Sequence, residues 1–178
     1  RSTTSQRFHS DRTPCRLAII GLLASVVLVS LNSVRGKARN ARTKLDINQI
    51  IKALELARDS SANDKYPDSA GNWNCFKPAG NCWRGSYPAL PAQAVTQLTP
   101  YLSTLPLTAL QVASGNYAYD SYLYHSNHPA IGGQGGQGAW IIWAKETTGN
   151  FDLGECRGYD AGFYEPGIRY CYQYIGPN

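Results

Sequence analysis

Apolar positions along this chain fall into three patterns, and each predicts a different element. Residues 17–31 hold no charge, and only Ser25 and Ser30 are polar. A run of that kind suits lipid or a partner helix better than water. Residues 35–44 then carry Arg35, Lys37, Arg39, Arg42 and Lys44, a block suited to an aqueous or headgroup boundary. Beyond it, Ile47, Ile50, Ile51 and Leu54 recur at i, i+3, i+4 and i+7, one apolar face of a helix that packs on a globular domain. One helix therefore faces two solvents in turn, as a membrane-held stalk carrying a soluble head does.

The helical pattern stops at Asp59, Ser60, Ser61, Asn63 and Asp64, a turn-rich patch. Residues 66–91 read as loop, with Pro67, Gly71, Pro78, Gly80, Gly85, Pro88 and Pro91, and with Trp73, Phe76 and Trp83 expected to cover the base of the head. Residues 94–105 predict a short helix through Val95, Leu98 and Leu102, stopped by Pro106. Strands are expected at 116–124, with a change of face near Ser121, at 139–145, and at 169–175, where Tyr170, Tyr172 and Tyr174 share a face. The glycine-rich stretch 132–138 is the turn between the first two. The fold class is α+β, a long N-terminal helix laid on a small antiparallel sheet. Ile47, Ile50, Ile51 and Leu54 are expected to bury against Tyr119, Ile141 and Tyr172, because a sheet of three or four strands needs the helix as half of its core. The division by residue is 1–16, a suspect start; 17–34, an apolar transmembrane helix; 35–59, an amphipathic helix; and 60–178, the head.

Charge adds little. Of the net +5, Arg1, Arg7, Arg12 and Arg16 against Asp11 account for +3, leaving +2 over residues 17–178. That is no nucleic-acid footprint, and no specific nucleic-acid binding is expected. Cysteine usage is more informative. Cys15 lies in the suspect start, and Cys75, Cys82, Cys156 and Cys171 remain, an even number as an exported domain would carry. Three pairings are open. The local one closes short loops worth about 2.5 and about 3 kcal/mol. A zinc site would want close C-x-x-C pairs, which neither spacing supplies.

The run GLLASVVLVSLNSVRGKARNAR followed by LDINQIIKALELARDSSANDKYPD resembles the N-terminal half of type IV pilins and type II secretion pseudopilins. In that family a hydrophobic helix with an acidic residue near its start leads into D-x-x-Q-I-x-x-A-L and ends near a Tyr-Pro. Asp46, Gln49, Ile50, Ala53, Leu54, Tyr66 and Pro67 occupy those places. The likeness covers roughly the first 35 to 70 residues. The local disulfide pairing, Cys75 with Cys82 and Cys156 with Cys171, also resembles the disulfide-bounded C-terminal loop of many pilins.

At the start the chain departs from the family. Pilins open with a segment such as FTLIELLVVIAIIG after a leader glycine, whereas residues 8–21 read FHSDRTPCRLAIIG. The spacing from Phe8 to Gly21 is right. The chemistry is not, since Asp11, Arg12 and Arg16 each cost about 2.5–3.5 kcal/mol in a lipid-facing helix, and Pro14 is expected to break the helix. FHSDRTPCR can be encoded as TTT CAC TCT GAT CGA ACT CCT TGT CGT, and one base later the same bases give FTLIELLVV. Shifting Gln6 and Arg7 likewise restores a glycine ahead of the cut. Residues 1–16 are therefore expected to be an out-of-frame reading of a prepilin start. Length agrees: residues 17–31 span about 22 Å as a helix, short of a ~30 Å hydrocarbon core, whereas counting from Phe8 gives about 36 Å. As written, the chain instead has a signal-peptide-like layout.

The resemblance implies cleavage by a leader peptidase between Arg7 and Phe8, methylation of the new N-terminus, and a family glutamate where Arg12 is written. It implies a filament core built on Leu17, Ile20, Gly21, Ala24, Val27 and Leu31, where small Gly21 and Ala24 allow close helix approach. Partners are then identical or related pilin subunits, the inner membrane, and the leader peptidase with its assembly machinery. The chain sits in the cytoplasmic membrane before assembly and in an extracellular surface filament, a fimbrium, afterwards. A pseudopilin of a type II protein-secretion system is the nearest alternative, and a signal-anchored extracytoplasmic enzyme or binding domain the next.

Catalytic signatures are scarce. There is no G-x-S-x-G, H-E-x-x-H or P-loop, so no enzyme is expected. His125 and His128 share a loop without a third ligand. Asp152, Glu155, Asp160 and Glu165 suggest calcium, as in some pseudopilins, but their spacing is not that of an EF-hand. No other cofactor is indicated.

Overall fold

The structure is a computed structural model that describes residues 13–83, 86–106, 113–114, 117–118, 120–131, 133, 135–146, 159–165 and 168–178. Helix α1 runs Thr13–Asp59 and α2 runs Ala92–Leu98. The strands are β1 Asn74–Cys75, β2 Ala113–Ser114, β3 Tyr117–Ala118, β4 Leu123–His128, β5 Gly138–Glu146, β6 Tyr159–Glu165 and β7 Ile168–Gly176. Two compact units divide within α1, Arg1–Arg35 and Gly36–Asn178. Pro14 lies within the described part of α1 rather than breaking it.

In the second unit five strands form one antiparallel sheet, ordered β1-β4-β5-β7-β6, and β2 pairs with β3 in a separate two-residue ribbon. The sheet is α+β in the expected sense but wider than three or four strands. Alternation sorts its side chains onto two faces. One face carries Tyr122, Tyr124, Ile141, Trp143 and Cys171, packed with Ile47, Ile50, Ala53, Leu54 and Ala57 of α1 and with Leu98 of α2. The other carries Leu123, Ile142, Ala144 and Tyr170 against Cys75, Cys82 and Trp83. Helix and disulfide loop thus cover opposite faces, and among the described residues β4, β5 and the Tyr170–Cys171 part of β7 bury side chains on both.

Several expectations are met and others corrected. Ile47, Ile50 and Leu54 are buried, Ile51 only partly. Ile141 meets the helix, but Tyr172 packs with the disulfide side, since it pairs opposite Ile142; Tyr119 lies outside the described residues. The expected strand over 116–124 is interrupted at 120–122, and its second half extends on to His128 as β4. Helix α2 starts two residues early and ends at Leu98 rather than 105, because Pro100 has no N–H to continue the ladder. Of the large loop aromatics, Phe76 enters the helix-side core, Trp83 the opposite one, and Trp73 stays half-buried.

Two expected disulfides become one among the described residues, Cys75–Cys82. Cys171 is buried and is not a free thiol, but its expected partner Cys156 lies outside the described residues. At the glycine-rich turn, Gly133 and Gly135 take φ of +73° and +66°, where side chains are disfavoured. A Cβ on Gly138 would stand 2.2 Å from the Gly176 carbonyl oxygen, so the β5–β7 corner closes only around glycine.

Candidate functional site on the N-terminal helix

Residues 20–28 and 30–35 of α1 are exposed on every side. Ile20, Leu22, Leu23, Val26, Val27, Leu28, Leu31 and Val34 keep between 42 and 68 % of their surface open. Removing such side chains from water is worth about 1.5–3 kcal/mol each, so together they represent on the order of 10 kcal/mol or more, as large as the stability of a whole domain. A surface of that size marks a membrane or protein contact. The only described helix long and apolar enough to cross a membrane begins here, at Ile20.

The backbone chemistry suits the same purpose. Every residue of the stretch is helical, so its peptide groups bond internally, as a hydrocarbon environment demands. Ser25, the polar residue at its centre, donates its hydroxyl to the Leu22 carbonyl at 2.8 Å and carries no unpaired donor outward. Nothing lies within 4 Å of a Cβ built on Gly21, which leaves that face open to a close neighbour. Of the residues singled out from sequence, Ile20, Gly21, Ala24, Val27 and Leu31 all sit on this exposed helix. The side chain of Leu17 and all of Arg7, Phe8 and Arg12 lie outside the described residues.

The helix passes into the head through contacts that no local pattern signals. Tyr122 donates to Asp46 Oδ2 at 2.9 Å. Tyr66 is buried after the helix end, its ring 5.1 Å beneath the Arg58 guanidinium and its N–H bonded to Asn178 Oδ1. Burial pushes the Tyr66 phenol above its usual range, and nearby Arg58 opposes that rise. The Pro67 carbonyl accepts from the Tyr124 hydroxyl at 2.8 Å. On the opposite face, Asp120 accepts from Lys77 at 3.2 Å and from the Trp83 N–H at 3.0 Å, fixing the disulfide loop. Apart from Arg58 with Tyr66, eight positions apart, these pairings join distant positions and are legible only once the fold brings them together.

The head offers a concavity of about 710 Å³, lined by polar groups including Asp68, Gln97, His125, Asn127 and Asn178. His125 packs edge-on against Trp73 with ring centroids 5.3 Å apart, and Trp73 lies 4.9 Å from His128. The Asn127 N–H donates to His125 Nδ1 at 3.1 Å. Burial, and then the neighbouring His128, lower the His125 pKa, while the Gly71 backbone and Asp68 pull it upward. Among the described residues no three His, Cys, Asp or Glu side chains gather as a metal site. Asp152 and Glu155 of the calcium expectation, and the side chains of Asp160 and Glu165, lie outside the described residues.

Comparison with protein-family models, with curated proteins and with solved structures finds no match for this chain. Its function has to be argued from the helix and the head themselves.

Proposed function

We propose that this chain is a structural subunit of a type IV pilus-like filament, held in the cytoplasmic membrane by its apolar helix and then polymerised through it into a surface fibre. One observation carries the reading: a single helix is exposed and mainly apolar over residues 20–28 and 30–34, yet buries its face over residues 47–57 in the core of a compact head. Such a protomer has a natural resting solvent, lipid, and a natural second one, the apolar helices of its siblings. Packing there relies on close approach at Gly21 and Ala24, because lipid and helix surfaces are equally apolar.

In this reading residues 1–16 stand for a prepilin start read out of frame. A leader peptidase cuts between Arg7 and Phe8, the new N-terminus is methylated, and a glutamate occupies the place where Arg12 is written. A lone carboxylate in lipid is costly, so pairing with a neighbour's N-terminal amine favours docking and sets register. The chain itself performs no catalysis. Cys156 pairs with Cys171 as a second staple, in keeping with the buried, bonded state of Cys171.

Shearing cells and sedimenting the released material tests the proposal. The chain should pellet as filaments, and Leu23→Asp should leave it in the membrane fraction unassembled. Recovery of the unaltered chain only as a soluble monomer would overturn it.

A further inference from the structure

Lys37, Arg39, Arg42 and Lys44 lie within one stretch of α1, all in the unit that begins at Gly36. Lys37, Arg42 and Lys44 are exposed and Arg39 is partly so. From Thr13 to Leu45 the helix carries no acidic residue, and the first one, Asp46, accepts a hydrogen bond from Tyr122. At about 100° per residue, Arg39 and Arg42 fall on one flank of the stripe that Gly36, Asn40, Thr43 and Ile47 bury, and Lys37 and Lys44 on the other. Ala38, Ala41 and Leu45 lie between them on the outward side, all exposed. The cations therefore half-encircle the helix. Lys145 of β5 lines the same small cavity as Lys44, and among the described residues no acid lines it.

We propose that Lys37, Arg39, Arg42 and Lys44 form a collar that binds the phosphodiesters of anionic phospholipid headgroups. This rests on the membrane-held reading of the preceding helix. Lys37 follows the last large apolar residue, Val34, by three positions and Lys44 by ten, about 4.5 and about 15 Å along a helix. The headgroup layer is about 5–8 Å thick and electrostatic attraction reaches a further ~8–10 Å, so all four cations lie within range. Their aliphatic stems can lie along the interface while the charges meet phosphate, and Ala38, Ala41 and Leu45 present no polar obstacle. Positive charge on the side of the head is compatible with export, because long domains cross regardless of charge. A membrane fits better than nucleic acid: the cations abut an apolar helix, and residues 17–178 carry a net charge of only +2. The collar would hold the head at the surface, oriented for assembly, until neighbouring subunits replace the lipid.

The test uses the full chain, purified in mild detergent and diluted into phosphatidylcholine vesicles with or without one-third phosphatidylglycerol. At low salt the chain should partition more strongly into the anionic vesicles, and high salt should erase the difference. Replacing Lys37, Arg42 and Lys44 together by Gln should lower the anionic preference by about 100-fold, at roughly fivefold per cation, and leave partition into phosphatidylcholine unchanged. Lys37→Arg with Lys44→Arg should keep the preference. Equal partition of the unaltered chain into both vesicles, or a preference that survives the triple substitution, overturns the collar. So does duplex DNA bound as tightly as anionic vesicles and lost in the same variant. Binding to anionic vesicles with none to phosphatidylcholine would uphold the collar and overturn the membrane-held helix.

Discussion

The Tyr122 hydroxyl donates a 2.9 Å hydrogen bond to the Asp46 carboxylate, joining positions 76 apart. Tyr122 is fully buried immediately before β4, and Asp46 sits one position before Ile47, where the helix turns its apolar face inward. The bond therefore fixes the helix to the sheet at the first turn of their shared core. Tyr122→Phe should lower the head's stability by about 1–2 kcal/mol, the usual worth of a partly buried bond to a charged acceptor. A double-mutant cycle with Asp46→Ala, which removes the acceptor, read by urea unfolding, should return a coupling of about 1 kcal/mol. Additive single effects would deny the link. The near-UV signal isolates the head, since Trp73, Trp83, Trp140 and Trp143 all belong to it.

Leu54 is wholly buried where α1 meets Ile141 and Trp143. Leu54→Ala should cost about 3 kcal/mol through lost burial and the cavity left behind. Leu56, on the same helix but half-exposed, should tolerate the same change within about 0.5 kcal/mol. Urea midpoints of the two variants give the comparison directly.

How legible was this in the sequence? The end of α1 at Asp59 and the inward face at Ile47, Ile50 and Leu54 could be read locally, because helical periodicity and turn chemistry act between neighbours. Strands β5 and β7 could be read for the same reason, as alternating apolar and aromatic runs. Tyr172 faces the side opposite to that expected, because the absolute face of a strand depends on its register, here with Ile142, a non-local fact. β6 escaped notice, since YDAGFYE lacks clean alternation, and β1 is too short to announce itself. The apolar stretch was plain in the sequence, and Asp46 and Tyr66 stand at places of the resembled pattern, whereas the contacts that they and Asp120 make depend on positions far along the chain.

Cys75 and Cys82 close a loop over the sheet face that holds Leu123 and Ile142. Replacing both by Ser should lower stability by about 2.5 kcal/mol, chiefly by freeing the unfolded chain. The Asp120 contacts should limit local loosening. Equilibrium unfolding of the variant measures the loss.

The acid response of the head should involve His125. Its folded pKa lies below the ordinary 6.5, chiefly through burial and then through His128, so the unfolded chain takes up the proton first. Stability is then complete above 6.5 and declines as pH falls through the window just beneath that value toward the lowered pKa. His125→Gln should flatten that part of the profile, measured as urea midpoint against pH. An unchanged acid slope in the variant would assign the response elsewhere.

Mass spectrometry of the N-terminus of the protein in sheared surface filaments reaches furthest. The account predicts a chain that begins at a methylated Phe8 and continues Thr-Leu-Ile-Glu into the apolar helix. Filament-free cells, with the protein recovered as a monomer that keeps its polar opening residues from Arg1 to Arg16, would contradict it.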